Sequence, residues 1–186
     1  MSNYAGRFNE LGTTLRRITD ILTDVENPNP NIAERAQNLC KLLYYTEPNP
    51  LVQPLSTPIN PDRPRPTFES YSDVTKHIIN KRIMLVPKIP EPDEVGGFVI
   101  AMLKNFAPSA NKSFKMYSLV FDVIVKHDNW LLDDNLRPFS IMQQVDNLIN
   151  GTKLSIGTVE FTDSDSIVLT RDFLGYSMVY RDASIN

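Results

Sequence analysis

Basic clusters, cysteines, histidines and long apolar runs are all scarce in this chain of 186 residues, and each scarcity removes a class of function. No Lys/Arg block exceeds a pair (Arg16 with Arg17, Lys81 with Arg82), and the formal net charge is −3. Binding driven by phosphate neutralisation needs a basic stripe, so nucleic acid is disfavoured as a partner. The single cysteine, Cys40, excludes an internal disulfide framework. It falls in a helical pattern, NLCKLLYY, and reads as a buried thiol rather than a reactive one. No run approaches the ~18–20 apolar residues needed to span a bilayer. The N-terminal MSNYAGRFNELGTTLRR has no apolar stretch behind a basic start, so a secretory signal is not expected. The expectation is a protein made in a reducing cytoplasm.

Catalytic patterns are equally thin. His77 and His127 are the only histidines, and neither has a partner at metal-ligand spacing. In KHDNW, His127 and Asp128 adjoin, but neighbours on a strand point to opposite faces and make poor partners. There is no nucleophile elbow. Gly96 and Gly97 precede a strand instead of opening a helix, so they do not cradle a phosphate. Asp133 and Asp134, with Asn135, precede a helix and are either a cation site or a complement to the helix dipole. Calcium loops carry alternating ligands and a placed glycine, which favours the second reading. Asp163 and Asp165 read as turn residues. No metal and no cofactor is expected.

What is present is periodicity. Phe8, Leu11, Leu15, Ile18, Leu22 and Val25 fall at three- and four-residue steps, a helix over residues 8–25 with one narrow apolar stripe. The stripe packs within the chain or against another subunit. The helix should stop before Asn27-Pro28-Asn29-Pro30. A second helix is predicted to be capped by Asn31, with Glu34 at capping-box spacing and Ile32, Ala36, Leu39, Cys40, Leu43 and Tyr44 on its buried face. The two are expected to pair as an antiparallel hairpin. Prolines at 48, 50, 54, 58, 61, 64 and 66 then forbid helix and ladder alike and impose an extended arm. Its apolar Leu51, Val52, Leu55, Ile59 and Phe68 suit an arm laid on a surface, its own or a neighbour's.

A helical turn is predicted over residues 73–80, then a strand in RIMLVPKI and a central strand in FVIAMLKNF, which is apolar on both faces. The longest strand, FKMYSLVFDVIVKHDNW, alternates. Tyr117, Leu119, Phe121, Val123 and Val125 face one way, and Met116, Ser118, Val120, Asp122, Ile124 and Lys126 make a more polar opposite face. A long exposed strand invites pairing with another chain. Trp130 at its end is packing or an interface anchor. A helix over 138–150 takes Pro138 in its first turn, Ile141, Met142, Val145, Leu148 and Ile149 as its core face, and Gly151 as its left-handed stop. TVEF and SIVL, separated by a turn at Asp163-Ser164-Asp165, and FLGYSMVY close the sheet, with Tyr176, Met178 and Tyr180 packing in the core.

The expected fold is α+β: a mixed or antiparallel sheet packed on one main helix, preceded by an N-terminal helical hairpin and a Pro-rich extended arm. Over residues 83–182 the order of an early strand pair, a long strand ending in HDNW, an Arg-Pro helix (LRPFSIMQQVDNLING), a small strand pair and a closing FLGYSMVY resembles the tail terminator and neck proteins of tailed bacteriophages. Members of that family are small α/β proteins forming closed rings, often hexamers, that stop tail-tube growth and join tail to head. The resemblance makes residues 73–186 a tail-terminator-like domain, which the prolines set apart from a hairpin at 1–47 and an arm at 48–72 that go beyond the family pattern. It implies a non-enzymatic virion protein whose partners are further copies of itself and other neck, tail-tube or sheath proteins. DNA would be passing cargo only, no membrane would be involved, and assembly would occur in the bacterial cytoplasm. The candidate interface residues are Leu51, Val52, Leu55, Ile59, Tyr117, Phe121 and Trp130. Two other readings stay open: a protein–protein adaptor using the hairpin or arm, and a hydrolase with a dispersed site around His77 or His127.

Overall fold

The apolar stripe near the N-terminus does form a helix, α1 (Tyr4–Leu22). A computed structural model describes residues 4–53, 78, 81–85, 97–108, 114–154 and 157–182. Leu11, Ile18, Leu22 and Val25 are buried and Leu15 is half-buried, while Phe8 lies outside the residues whose side chains are described. The buried face is wider than the stripe, because Thr14, Thr19 and Thr23 are buried too. Thr19 Oγ1 donates to Leu15 O (3.2 Å) and Thr23 Oγ1 to Thr19 O (2.8 Å), which removes the cost of burying those hydroxyls.

Helix α2 (Pro30–Tyr44) starts earlier than the Asn31 cap predicts. Pro30 occupies the first turn, where a missing N–H costs nothing, and Asn29 is the cap, its Oδ1 accepting from Asn31 N at 3.1 Å. Glu34 is exposed and closes no capping box. Ala36, Leu39, Cys40, Leu43 and Tyr44 are buried as predicted, Leu42 joins them, and Ile32 is half-buried. The expected hairpin is modest: α2 packs principally on α3 (Arg137–Ile149) and meets α1 chiefly near its end, where Gln37 Nε2 donates to Val25 O. In α3, Ile141, Val145, Leu148 and Ile149 are buried, Pro138 lies in the first turn, and Gly151 follows with φ +76°.

The fold is α+β. Six strands run in the order β1-β2-β3-β6-β5-β4: β1 (Ile83–Met84), β2 (Gly97–Pro108), β3 (Phe114–Lys126), β4 (Lys153–Leu154), β5 (Gly157–Val168) and β6 (Phe173–Asp182). β1 pairs parallel with β2 and the remaining pairs are antiparallel, so the sheet is mixed. The three described α-helices share one core cluster with residues from a single face of the sheet, among them Val99, Ala101, Leu119, Phe121, Val123, Val125, Met178 and Tyr180. A second, smaller cluster of Met84, Phe98, Ile100, Ile124 and Phe173 occupies the opposite face.

Four expectations are corrected. First, β2 is apolar on both faces for the predicted reason, but it sits next to the short β1 rather than at the centre. Second, β3 is flanked on both sides over Ser118–Lys126, by β2 and by β6, so its backbone offers no free edge to another chain there. Third, its more polar face is buried as well: Ser118, Val120 and Ile124 are inaccessible, and Asp122 accepts from Ser177 Oγ at 2.6 Å. Fourth, there is no turn at Asp163-Ser164-Asp165. Those residues pair with Val179, Met178 and Ser177 inside one continuous β5, and the irregularity is a register shift between Phe161 and Asp163. β5 is largely exposed, so polar residues cost it little and mimic a turn in the sequence. The arm beyond Gln53, the turn over 73–77 and the continuation of RIMLVPKI past Leu85 lie outside the described residues.

One position constrains the central strands tightly. A Cβ at Gly175 would collide with the Val123 carbonyl in the neighbouring strand, and a backbone atom cannot swing away. Gly175→Ala should therefore cost about 3 kcal/mol, or roughly 6–12 °C in melting temperature. A melting curve superimposable on wild type would refute this.

Candidate interface surfaces

Arg137 opens α3, an unfavourable end for a cation, and its side chain is fully buried. Its partners resolve the paradox. Nε donates to Asn129 O (2.7 Å), Nη1 to Leu42 O (3.0 Å) and Tyr45 O (2.6 Å), and Nη2 to Glu47 O (2.6 Å), while its backbone N–H reaches Trp130 O (2.7 Å). Leu42 and Tyr45 close the C-terminal end of α2, where carbonyls are unpaired and the helix dipole is negative. Burial lowers the guanidinium pKa to about 10, and the Glu47 carboxylate opposes that shift. One side chain thus ties the end of α2, the strap that follows it and the 127–130 turn into a unit.

That unit carries an apolar patch. Pro50–Val52 form a single 3-10 turn in which Pro50 is buried while Leu51 and Val52 are 42% and 73% exposed. Asp133 N donates to Pro48 O (3.1 Å), which joins the strap to the 130–136 loop, and Leu131 in that loop is 72% exposed. Beside the turn, Lys41 Nζ donates to Leu51 O (3.0 Å). Of the seven residues expected at an interface, Leu51 and Val52 are therefore at the surface, and Leu55 and Ile59 lie outside the described residues. Tyr117 and Phe121 are buried inside the subunit; Phe121 packs edge-on against Tyr180 at 5.6 Å in the helix-side core and has no surface to offer. Trp130 is half-buried, its Nε1 donating to Val125 O (3.2 Å).

A second apolar surface lies on the other flank of α3, toward β5 and β6. Phe139, Met142, Gln143, Asp146, Phe161 and Met178 line a groove of about 260 Å³. Phe139 stacks on Tyr176 at 4.9 Å, and Phe161 meets Tyr180 edge-on at 5.7 Å. Tyr180 OH donates to Asp146 Oδ1 (2.9 Å); burial, then the Asp146 charge, push the phenol pKa up. Sequence reasoning missed this groove. The available signal was Phe139, a large aromatic off the stripe made by Ile141, Val145 and Leu148.

The chemical candidates fare differently. β3 ends at Lys126 and His127–Asn129 form a 3-10 turn, so His127 and Asp128 are not on opposite strand faces; their side chains come to 3.8 Å, both about three-quarters exposed. With Lys126, Arg171 and Asp172 they line a polar cleft of about 360 Å³ that contains no hydroxyl or thiol. His77 lies outside the described residues. Cys40 is fully buried, and burial pushes its thiol from 9.0 up to about 12. Asp133 and Asp134 are exposed and stand outside the first turn of α3, where Asn135 Oδ1 accepts from Leu136 N instead. Among the described residues no group of three or more His, Cys, Asp or Glu could hold a metal ion. No described helix is long and apolar enough to cross a membrane.

A family model described as YomW matches residues 36–181, and the chain belongs to that family. The match takes in most of α2, all of α3 and nearly the whole sheet. No curated protein and no solved structure matches the chain.

Two measurements check this account. Arg137→Lys keeps a charge but not the planar fork, and leaves buried carbonyls without donors at about 1–3 kcal/mol each. A loss of roughly 3–4 kcal/mol in urea unfolding is expected; a lysine variant as stable as wild type would remove Arg137 as the organising group. For Cys40 the folded pKa lies above the unfolded one, so its contribution is full below about pH 9 and declines as pH climbs toward about 12. Cys40→Ala should flatten the stability loss over that window, with no effect at pH 7 beyond a constant offset. Unchanged slopes in the two proteins would contradict the assignment.

Proposed function

We propose that this protein is a non-enzymatic structural component of a tailed-phage virion, a subunit of a homo-oligomeric ring in the neck that ends the tail tube or sheath and joins it to the head connector. The observation that carries the reading is the pair of unlike apolar surfaces on opposite flanks of α3: the Leu51, Val52 and Leu131 patch, and the groove between Phe139 and Phe161. A ring of identical chains needs two different, complementary surfaces per subunit in head-to-tail contact. A closed single-copy enzyme or a one-partner adaptor needs neither. The early strands, long strand, Arg-Pro helix and closing FLGYSMVY strand occur in the order that suggests the neck proteins, with a single β5 in place of the expected small strand pair.

In this reading the partners are neighbouring copies, and tube, sheath or connector proteins above and below. The acidic balance of the chain suits a channel through which DNA slides without sticking. The protein would assemble in the host cytoplasm and end in the virion. Mass photometry should give particles of several times 21.2 kDa, alone or with purified tail-tube protein. Monomers under both conditions would end the proposal.

A further inference from the structure

The two surfaces also complement each other chemically, and this bears on which parts of neighbouring copies meet. The groove has aromatic walls, Phe139 at 41% exposure from the helix and Phe161 at 42% from the strand, with Met142 and Met178 also lining it. Thioether side chains adapt to the shape of whatever enters. Asp146 carries the single formal charge among the lining residues, and Tyr180 OH holds one of its oxygens. The natural occupant is a small aliphatic knob with a cation beside it. This chain displays such a knob: Leu51 and Val52 project from the 3-10 turn, and the Lys41 ammonium is fixed against the Leu51 carbonyl.

We infer that Leu51 and Val52 of one copy seat in the α3–β5 groove of the next, with Lys41 facing Asp146. The groove flanks α3 on its β5 and β6 side, whereas the knob follows α2, which packs principally on α3 and more lightly on α1 and β2. The contact therefore runs from copy to copy and leaves an unused knob and an unused groove at each step until the ring closes. An aliphatic pair among aromatic rings supplies the affinity; the Lys41–Asp146 pair sets orientation and discriminates against uncharged aliphatic partners. The inference rests on the ring reading and names its contact.

Cross-linking tests it. Val52→Cys and Phe161→Cys are placed in separate full-length proteins; both positions are exposed, Cys40 is buried, and circular dichroism checks that each variant folds. Disulfide formation needs Cβ atoms within about 4 Å, so only true neighbours react. On mild oxidation, the mixture should give a covalent dimer of twice 21.2 kDa, and each single variant alone should not. A chain carrying both cysteines should give a ladder of multimers, and Val52→Glu should lower the oligomer fraction at least tenfold. If wild type forms oligomers but the mixture does not cross-link and Val52→Glu assembles normally, the contact is wrong and the ring reading survives. Cross-linking of Val52→Cys with itself overturns the contact in favour of a two-fold one. A wild type that stays monomeric both alone and with tail-tube protein overturns both.

Discussion

A guanidinium group with almost no access to water organises the helix side of this molecule. Moving an ion out of water costs several kcal/mol even after the protein relaxes, and the depressed pKa of Arg137 records part of that cost. What offsets it is a ring of carbonyls supplied by segments far apart in sequence: Leu42, Tyr45 and Glu47 from α2 and its strap, Asn129 from the turn after β3. Each of those oxygens would otherwise need another donor, because helix ends and tight turns leave carbonyls unpaired. The cation at the wrong end of its own helix is thus at the right end of its neighbour. Sheet, α2 and α3 are aligned by the same five-donor fork, and a shift of any one element would strand several buried polar groups together.

Periodic features are legible in the amino-acid sequence, and non-periodic ones are not. The helix at 137–149 can be bounded to within a residue, because a proline at its start, a left-handed glycine at its end and a three-four repeat all agree. Alternation also assigns the two faces of β3 correctly. It leaves the neighbours of β3 open, since it specifies how side chains divide between faces and says nothing about which strands lie alongside. β5 reads as two strands because Asp163, Ser164 and Asp165 carry turn chemistry, yet on an outer, solvated strand the same residues are harmless. Arg137 is invisible for a further reason. A buried arginine has no period, and its partners lie more than 80 residues away in the case of Leu42, Tyr45 and Glu47.

The candidate surface is half readable. Leu51 and Val52 stand out as apolar residues in a proline-rich stretch, and they are exposed. Tyr117 and Phe121 qualify only by their size on a strand expected to be free. Because β2 and β6 cover both edges of β3, those side chains belong to the subunit core. The groove depends on the gap between α3 and an outer strand, a distance that no sequence pattern encodes.

How copies of this chain could meet follows from where the sheet is closed. A six-stranded open sheet usually risks growth at its edges. Along β5, Gly151 and Thr152 bond both backbone groups of Val159, Asn150 Oδ1 accepts from Phe161 N, and Asp163 Oδ1 accepts from Ser164 N. The amides that would template a foreign strand are therefore already engaged over the first half of that edge. At the other end of the sheet, the two residues of β1 cover only Val99 and Ile100 of β2. The two apolar surfaces flanking α3 differ in shape and in the sign of the charge beside them. Such a pair favours unlike surfaces meeting over like ones, because knob against knob would oppose two Lys41 ammonium groups and groove against groove two Asp146 carboxylates. Under the proposed head-to-tail contact, association ends when the contacts close on themselves.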